Sequence, residues 1–395
     1  MTASPWHQAR RIAADMDPAP PQRVGLQSAT GNILAQPVSA LTELPPTATA
    51  AVTGWAVRGI GPWTEQIAGE EVLDGAAKSV GIGATIPMGT DAVLGRFQHV
   101  VEDTAAGRLI LVGDGSQPAP RPGMVAGGLG ITAPGAAAEM GEILIKAGGL
   151  VTAGTITLAA AAGMDELMIV PPATVAPVMM GTDLLSAGPP RRGKDRDVIA
   201  ALLPSWVMGA GGRCLPETPG ATQPAALADT IDAIGADLIV LTGTAHAGVD
   251  PVVVTALRHL RAEILIDLLA TQPAGEVILA EFGDGRRVLA LPREPLAAIV
   301  ALALLLSPMM MAVSARTPPR WSTVMLREGV NPSRNERAVA VTVEHGELAD
   351  LGSVLPWSGP HGLGPMSDAD GIAFLDPGRG NRGDSVPWIE LPGRS

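Results

Sequence analysis

The sequence predicts a multidomain α/β protein. A doubly wound α/β domain is expected over residues 171–313, with β-rich segments before it and a small C-terminal β domain over 314–395. Three observations carry this. First, 395 residues exceed one ordinary core, at roughly 100–200 residues per domain. Second, between Val175 and Val313 continuous apolar runs alternate with helix-period stretches, as parallel strands covered on both faces require. Third, the 48 Gly and 36 Pro punctuate the rest of the chain at short intervals, which predicts turns and short strands; they show no Gly-X-Y period, so collagen is excluded.

QARRIAADM (8–16) predicts an early helix. Residues 22–60 and 70–112, rich in Val, Ile, Gly and Pro, read as strands and turns. DAVLGRFQHVVED and GRLILVG form two strands about a turn at Ala105–Gly107. Residues 113–140 are weakly patterned, and a helix follows near Thr155–Ala162. APVMMG opens the α/β domain as a buried strand, followed by an arginine-containing loop (Pro189–Arg196). The next segment, DVIAALLPSWVMGAGG, has helical period with a kink expected at Pro204. A helix (Pro224–Ile234), the strand DLIVL, a helix (Val252–Leu260) and the strands EILIDLL and RRVLALP come next. The run Leu296–Val313 has about the minimum length of a membrane span. Coming after a strand in an alternating pattern, it reads as a buried helix that closes the α/β domain. WSTVMLREGV, RAVAVTVEHGEL and DSVPWIELP then alternate as short strands.

Composition narrows the function. The net charge is −12, Tyr is absent and there are three Phe, so no nucleic-acid partner is expected through bulk charge or aromatic stacking. One cysteine, Cys214, allows neither an internal disulfide nor a cysteine-rich metal site. Met1 to Asp15 has no apolar run of a signal peptide, and a cytoplasmic chain without membrane attachment is expected. Gly378-Arg-Gly-Asn-Arg-Gly383 matches a dinucleotide fingerprint, but Pro377 precedes it and a strand follows, so it reads as a turn.

In an open α/β sheet, ligands bind beyond the carboxyl ends of the strands. Three segments stand there: Met180-Gly-Thr-Asp183, Thr242-Gly-Thr-Ala-His-Ala-Gly-Val-Asp250 and Pro292-Arg-Glu-Pro295. Small residues let the backbone approach a ligand, and free N–H groups suit phosphate. The rim acids Asp183, Asp250 and Glu294 have the oxygen chemistry of a hard divalent cation site, or that of helix N-caps.

These segments, taken in order with LPPTATAAVTGWAVRG (44–59), SVGIGATIPMGTDAVL (79–94) and WSGPHGLGPMSDADGIAFL (357–375), resemble the molybdopterin molybdenumtransferases, the MoeA and gephyrin E-domain family. The resemblance covers nearly the whole chain. It implies an elongated β-rich domain from residues 1–45 and 138–170, an inserted β domain (46–137), a molybdopterin-binding-type α/β domain (171–313) and a C-terminal β domain (314–395). It also implies a homodimer that takes adenylated molybdopterin and molybdate, cleaves the adenylate and releases AMP, assisted by Mg2+ or Zn2+.

By resemblance, Asp183 and Asp250 are the metal ligands and, with Arg293, the catalytic residues. Thr182, Thr242, Gly243, Thr244, His246, Gly248, Pro292, Glu294, Pro295 and Ser358 are the substrate-binding residues. The family pattern is altered in several places: Thr53 stands for an aspartate, Thr182 for an acid, Leu268 and Gln272 for lysines, and Arg293-Glu294 for Gly-Asn. Arg293 suits the role of a lost lysine, since guanidinium binds oxyanions in bidentate fashion. The same alterations fit a second reading, a degenerate copy that keeps a dimeric binding scaffold without turnover.

Overall fold

The computed structural model describes residues 3–105, 107–112, 124–181, 183–244, 251–317, 321–331, 333–359 and 362–392. The chain forms two compact units: Arg23–Thr30 with Leu34–Met168, and Met1–Gln22 with Gly31–Ile33 and Ile169–Ser395.

The unit of residues 23–30 and 34–168 is built on a six-stranded sheet. Its strand order is Ala92–Gly95, Gly54–Val57, Ala76–Val80, Trp63–Glu65, Gly107–Val112, His99–Thr104. The hairpin expected from DAVLGRFQHVVED and GRLILVG is present, with Gly107 opposite Thr104 and Val112 opposite His99. One face buries Trp55, Val57, Trp63, Leu94 and Ile110, and the other buries Ala56, Val72 and Val93. A helix at Ala153–Ala161 starts from a Thr152–Thr155 capping box.

The second unit holds the α/β domain. Its elements are α1 (Trp6–Ala14), β1 (Thr174–Met179), α2 (Val198–Gly209), β2 (Arg213–Cys214), α3 (Pro224–Asp232), β3 (Leu238–Thr244), α4 (Pro251–His259), β4 (Glu263–Ile266), β5 (Ile278–Glu281), β6 (Arg287–Pro292) and α5 (Pro295–Val313, with one π turn at Leu302–Leu306). The strand order is β2-β1-β3-β6-β5-β4. Strands β2, β1, β3 and β6 run parallel, and this part is the doubly wound sheet that the strand–helix alternation predicts. The last two strands correct the all-parallel expectation: β5 runs antiparallel to β6, and β4 to β5. The physical reason is the connection Phe282–Arg286 between β5 and β6, which is too short for a crossover helix and permits only a hairpin.

Period-two alternation along β3 explains the two cores. Leu238 and Val240 face α2, α5 and α1, among Leu203, Val207, Leu289 and Leu291. Ile239 and Leu241 face α3 and α4, among Leu227, Ile231, Val253 and Leu257. Each such side chain contributes about 1.5–3 kcal/mol by leaving water. Helix α5 has the length and apolarity of a membrane span, yet it is 89% buried and fills the middle of the first core. Pro204 lies inside α2, which continues through it as one helix.

Helix α1 belongs to this unit, which divides the 1–45 stretch that the resemblance groups together. Ala9 and Ala13 are buried against α5, and Trp6 stacks on Phe374 with ring centroids 5.6 Å apart. The buried Arg287 donates to the carbonyls of Ile12, Ala13 and Asp15 while pairing with Glu281 at 2.6 Å. A closed five-stranded barrel completes the unit: β7 (Ser322–Leu326), β8 (Arg337–Glu344), β9 (Leu351–Leu355), β10 (Gly371–Leu375) and β11 (Ser385–Glu390), ordered β7-β9-β8-β10-β11. The glycine motif at 378–383 is the turn between β10 and β11. Gly378, Gly380 and Gly383 take positive φ, and Asp384 accepts from the Gly380 and Asn381 amides.

Candidate functional site

The carboxyl ends of β1, β3 and β6 lie side by side, with Met179 opposite Thr242 and Thr244 opposite Pro292. Two glycines make the first junction close. Gly243 has φ +68°, and a Cβ there would lie 2.2 Å from Leu184 Cδ1 and 2.7 Å from the Met180 carbonyl oxygen. Gly181 has φ +94° beside Asp183 Oδ1, where a Cβ would lie at 3.1 Å. Only glycine takes both the left-handed backbone and this closeness without displacement. The Met180 amide donates to the Thr242 carbonyl at 2.9 Å and ties the two strand ends together.

Arg293 follows β6 and reaches across this rim. Its Nη2 lies 2.5 Å from Asp183 Oδ2 and 3.6 Å from Asp195 Oδ2. The hydrogen bond from Arg293 holds the Asp183 carboxyl below the ordinary aspartate value, and the same bond raises the Arg293 guanidinium. Asp195 is brought there by the loop after β1, whose Asp195 amide donates to the Asp183 carbonyl at 2.9 Å and whose Asp197 amide donates to the Leu185 carbonyl at 3.0 Å. This loop, Arg191-Arg-Gly-Lys-Asp-Arg196, carries four cations against one acid.

Beneath the rim lies Asp197, buried at the N-terminus of α2. Its Oδ1 accepts from the Ala200 amide at 2.8 Å and its Oδ2 from the Thr242 hydroxyl at 2.5 Å. Arg196 adds a buried Nη1 with no hydrogen-bond partner among the described residues. Burial, the first cause, raises the Glu217 carboxyl; the charge of Asp197 adds to this, and Arg196 opposes it.

The structure shows how several of the expected site residues are held. Thr242 is fully buried and its hydroxyl holds Asp197; Thr244 is buried and its hydroxyl donates to the Leu291 carbonyl at 2.5 Å. Pro292 ends β6 and Pro295 begins α5, and both are buried. These four side chains are packed into the rim. Glu294 is the N-cap of α5, where its Oε2 accepts from the Ala297 amide at 2.7 Å, so the capping reading of this acid holds.

Ser358 lies in a turn of its own, its carbonyl accepting from the Gly364 amide at 2.7 Å. That turn rests on the start of α5, because a Cβ on Gly362 would sit 3.2 Å from Leu296 Cδ2. Thr182, His246, Gly248 and Asp250 lie outside the described residues.

The residues described do not fit the expected divalent cation. Asp183 offers a carboxylate already paired with a guanidinium, and among the described residues no three His, Cys, Asp or Glu side chains gather as a metal site. Sequence reasoning missed Asp195 and Asp197. Asp197 had a legible signal, an aspartate just before the apolar run of α2. Asp195 had none, because only the tertiary turn after β1 brings it to Arg293.

Comparison with known proteins shows what the chain resembles in sequence and in fold. Residues 4–163 match the family described as MoeA N-terminal region (domain I and II). The chain is 26% identical over 399 residues to molybdopterin molybdenumtransferase 2 of Mycobacterium tuberculosis, covering 93% of each chain. It is 28% identical over 244 residues to the molybdopterin molybdenumtransferase of Synechococcus elongatus, covering 60% of this chain and 57% of the relative. A molybdopterin biosynthesis MoeA protein from Pyrococcus horikoshii has the same fold, with TM-score 0.76 at 20% identity, over 99% of this chain and 100% of that one.

Proposed function

We propose that this chain is a divergent member of the MoeA family and acts in molybdenum cofactor biosynthesis, inserting molybdate into adenylated molybdopterin with release of AMP. The observation that carries this reading is Arg293, held by Asp183 and Asp195 at the joined ends of β1, β3 and β6. A guanidinium fixed by carboxylates on one side offers its remaining N–H groups to an oxyanion, either molybdate or a phosphate of the adenylate. Fixed positive charge there meets the negative charge that develops on a leaving phosphate, with no reorganisation at the moment of reaction. Asp183 and Asp195 orient Arg293, and Gly243 lets the ends of β1 and β3 close against each other beneath it. The transferase name borne by a relative matched over 93% of this chain favours an enzyme over the scaffold reading.

We further propose a cytoplasmic homodimer. Leu41, Met140 and Ile143 are 52%, 72% and 57% exposed around the pairing of Val38–Ser39 with Ile143–Ile145, an apolar surface that a second copy would cover. Sedimentation analysis of the purified chain tests this, and a monomer at micromolar concentration would contradict it.

The function is tested by complementation. Expression in a bacterial strain lacking its molybdenumtransferase restores molybdoenzyme activity on this reading. Absence of activity with well-expressed, folded protein would remove it.

A further inference from the structure

A hard divalent cation needs several oxygen ligands free to turn toward it. At this rim the ligands are already taken. Asp183 Oδ2 lies 2.5 Å from Arg293 Nη2, and Asp195 Oδ2 lies 3.6 Å from the same nitrogen. Glu294, the other described rim acid, is turned into the N-terminus of α5 by its bond to the Ala297 amide. A metal entering at Asp183 would have to break the Arg293 pair and then sit beside a like charge that the β6–α5 junction keeps in place. Arginine also loses its proton at no ordinary pH, so it does not yield the position by titrating.

We propose that Arg293 takes the cation's position at Asp183, so that this rim holds its oxyanion with protein-borne positive charge and no divalent metal on Asp183. The loop Arg191–Arg196 fits this arrangement. It carries Arg191, Arg192 and Lys194, all exposed, and Asp195, the acid of that loop, faces Arg293. Positive charge that a metal would bring is thus already in the sequence. The inference takes the oxyanion from the proposed transferase reading; the assignment of the cation position stands on the ion pairs alone.

The test is a titration of the full chain with Mn2+ in place of Mg2+, read by the loss of the free-ion electron paramagnetic resonance signal. It needs no pterin, so it succeeds or fails independently of complementation. Any Mn2+ that the wild-type chain binds stays bound with unchanged affinity in Asp183→Asn. Arg293→Gln releases Asp183 and Asp195 together and raises Mn2+ affinity by roughly tenfold or more. Adding Asp183→Asn to that variant takes the gain away. Arg293→Lys keeps the charge, folds with the least disturbance and shows no gain. Two results overturn the proposal: Mn2+ binding to the Arg293-containing chain that falls about tenfold or more in Asp183→Asn, or an Arg293→Gln chain with native circular dichroism that gains no affinity.

Discussion

Thr242→Val is the perturbation that most sharply probes how the rim is built. Thr242 is 0% exposed and Asp197 5% exposed, so neither has water to fall back on. Asp197 uses both carboxylate oxygens: Oδ1 caps α2 through the Ala200 amide, and Oδ2 accepts the Thr242 hydroxyl at 2.5 Å. Valine keeps the shape of threonine but removes the donor, which leaves one oxygen of a buried carboxylate without a partner. A hydrogen bond to a charged group contributes about 1.5–3 kcal/mol, and that range is the expected loss. At about 2–4 °C per kcal/mol for a unit of this size, the melting temperature should fall by roughly 3–12 °C in differential scanning calorimetry. The cycle with Asp197→Asn sharpens the assignment. Asparagine caps a helix about as well as aspartate but carries no charge, so Thr242→Val added to Asp197→Asn should cost about 1 kcal/mol less than in wild type. A change within about 0.5 kcal/mol for Thr242→Val, or strict additivity of the two substitutions, would refute the buried pair.

Three further outcomes follow from the same structure. Gly243→Ala forces a Cβ to 2.2 Å from Leu184 Cδ1 and 2.7 Å from the Met180 carbonyl at φ +68°; a loss of about 2 kcal/mol or more is expected in urea unfolding, against the 1–2 kcal/mol that the left-handed backbone alone would cost. Arg287→Met strips its donors from the Ile12, Ala13 and Asp15 carbonyls, so about 1–3 kcal/mol should be lost, with early proteolytic cleavage near α1. Asp183 has its carboxyl lowered by Arg293, so the pair stabilises the fold above the unfolded-state value and that increment disappears as pH falls from about 4. Both partners are partly exposed, which limits the increment to about 1 kcal/mol, and Asp183→Asn should flatten that part of a stability-versus-pH curve.

The legible parts of the fold were those written in periodicity. β3 and β6 show as continuous apolar runs because both faces are covered, and α5 shows as apolar on all sides because it is surrounded. The antiparallel turn of β5 and β4 was hidden, since the apolar runs of Ile278–Glu281 and Glu263–Ile266 carry no mark of direction. At the site, position was readable and side-chain use was not. The strand-end rule located Asp183, Gly243 and Arg293 correctly at adjoining strand ends. It could not say that Thr242 and Thr244 turn inward, because a threonine ending a strand looks the same in sequence whether its hydroxyl serves a ligand or a buried acceptor. Asp195 depended on the path of a loop, which no local pattern encodes.

The central claim is most directly tested by AMP release from adenylated molybdopterin by the purified chain, followed chromatographically with and without molybdate. The account predicts molybdate-dependent AMP formation that falls roughly 100-fold or more in Arg293→Ala, the scale of losing one fixed donor to a developing anion. A folded wild-type chain that releases no AMP above the uncatalysed background, or an Arg293→Ala chain as active as wild type, would contradict it.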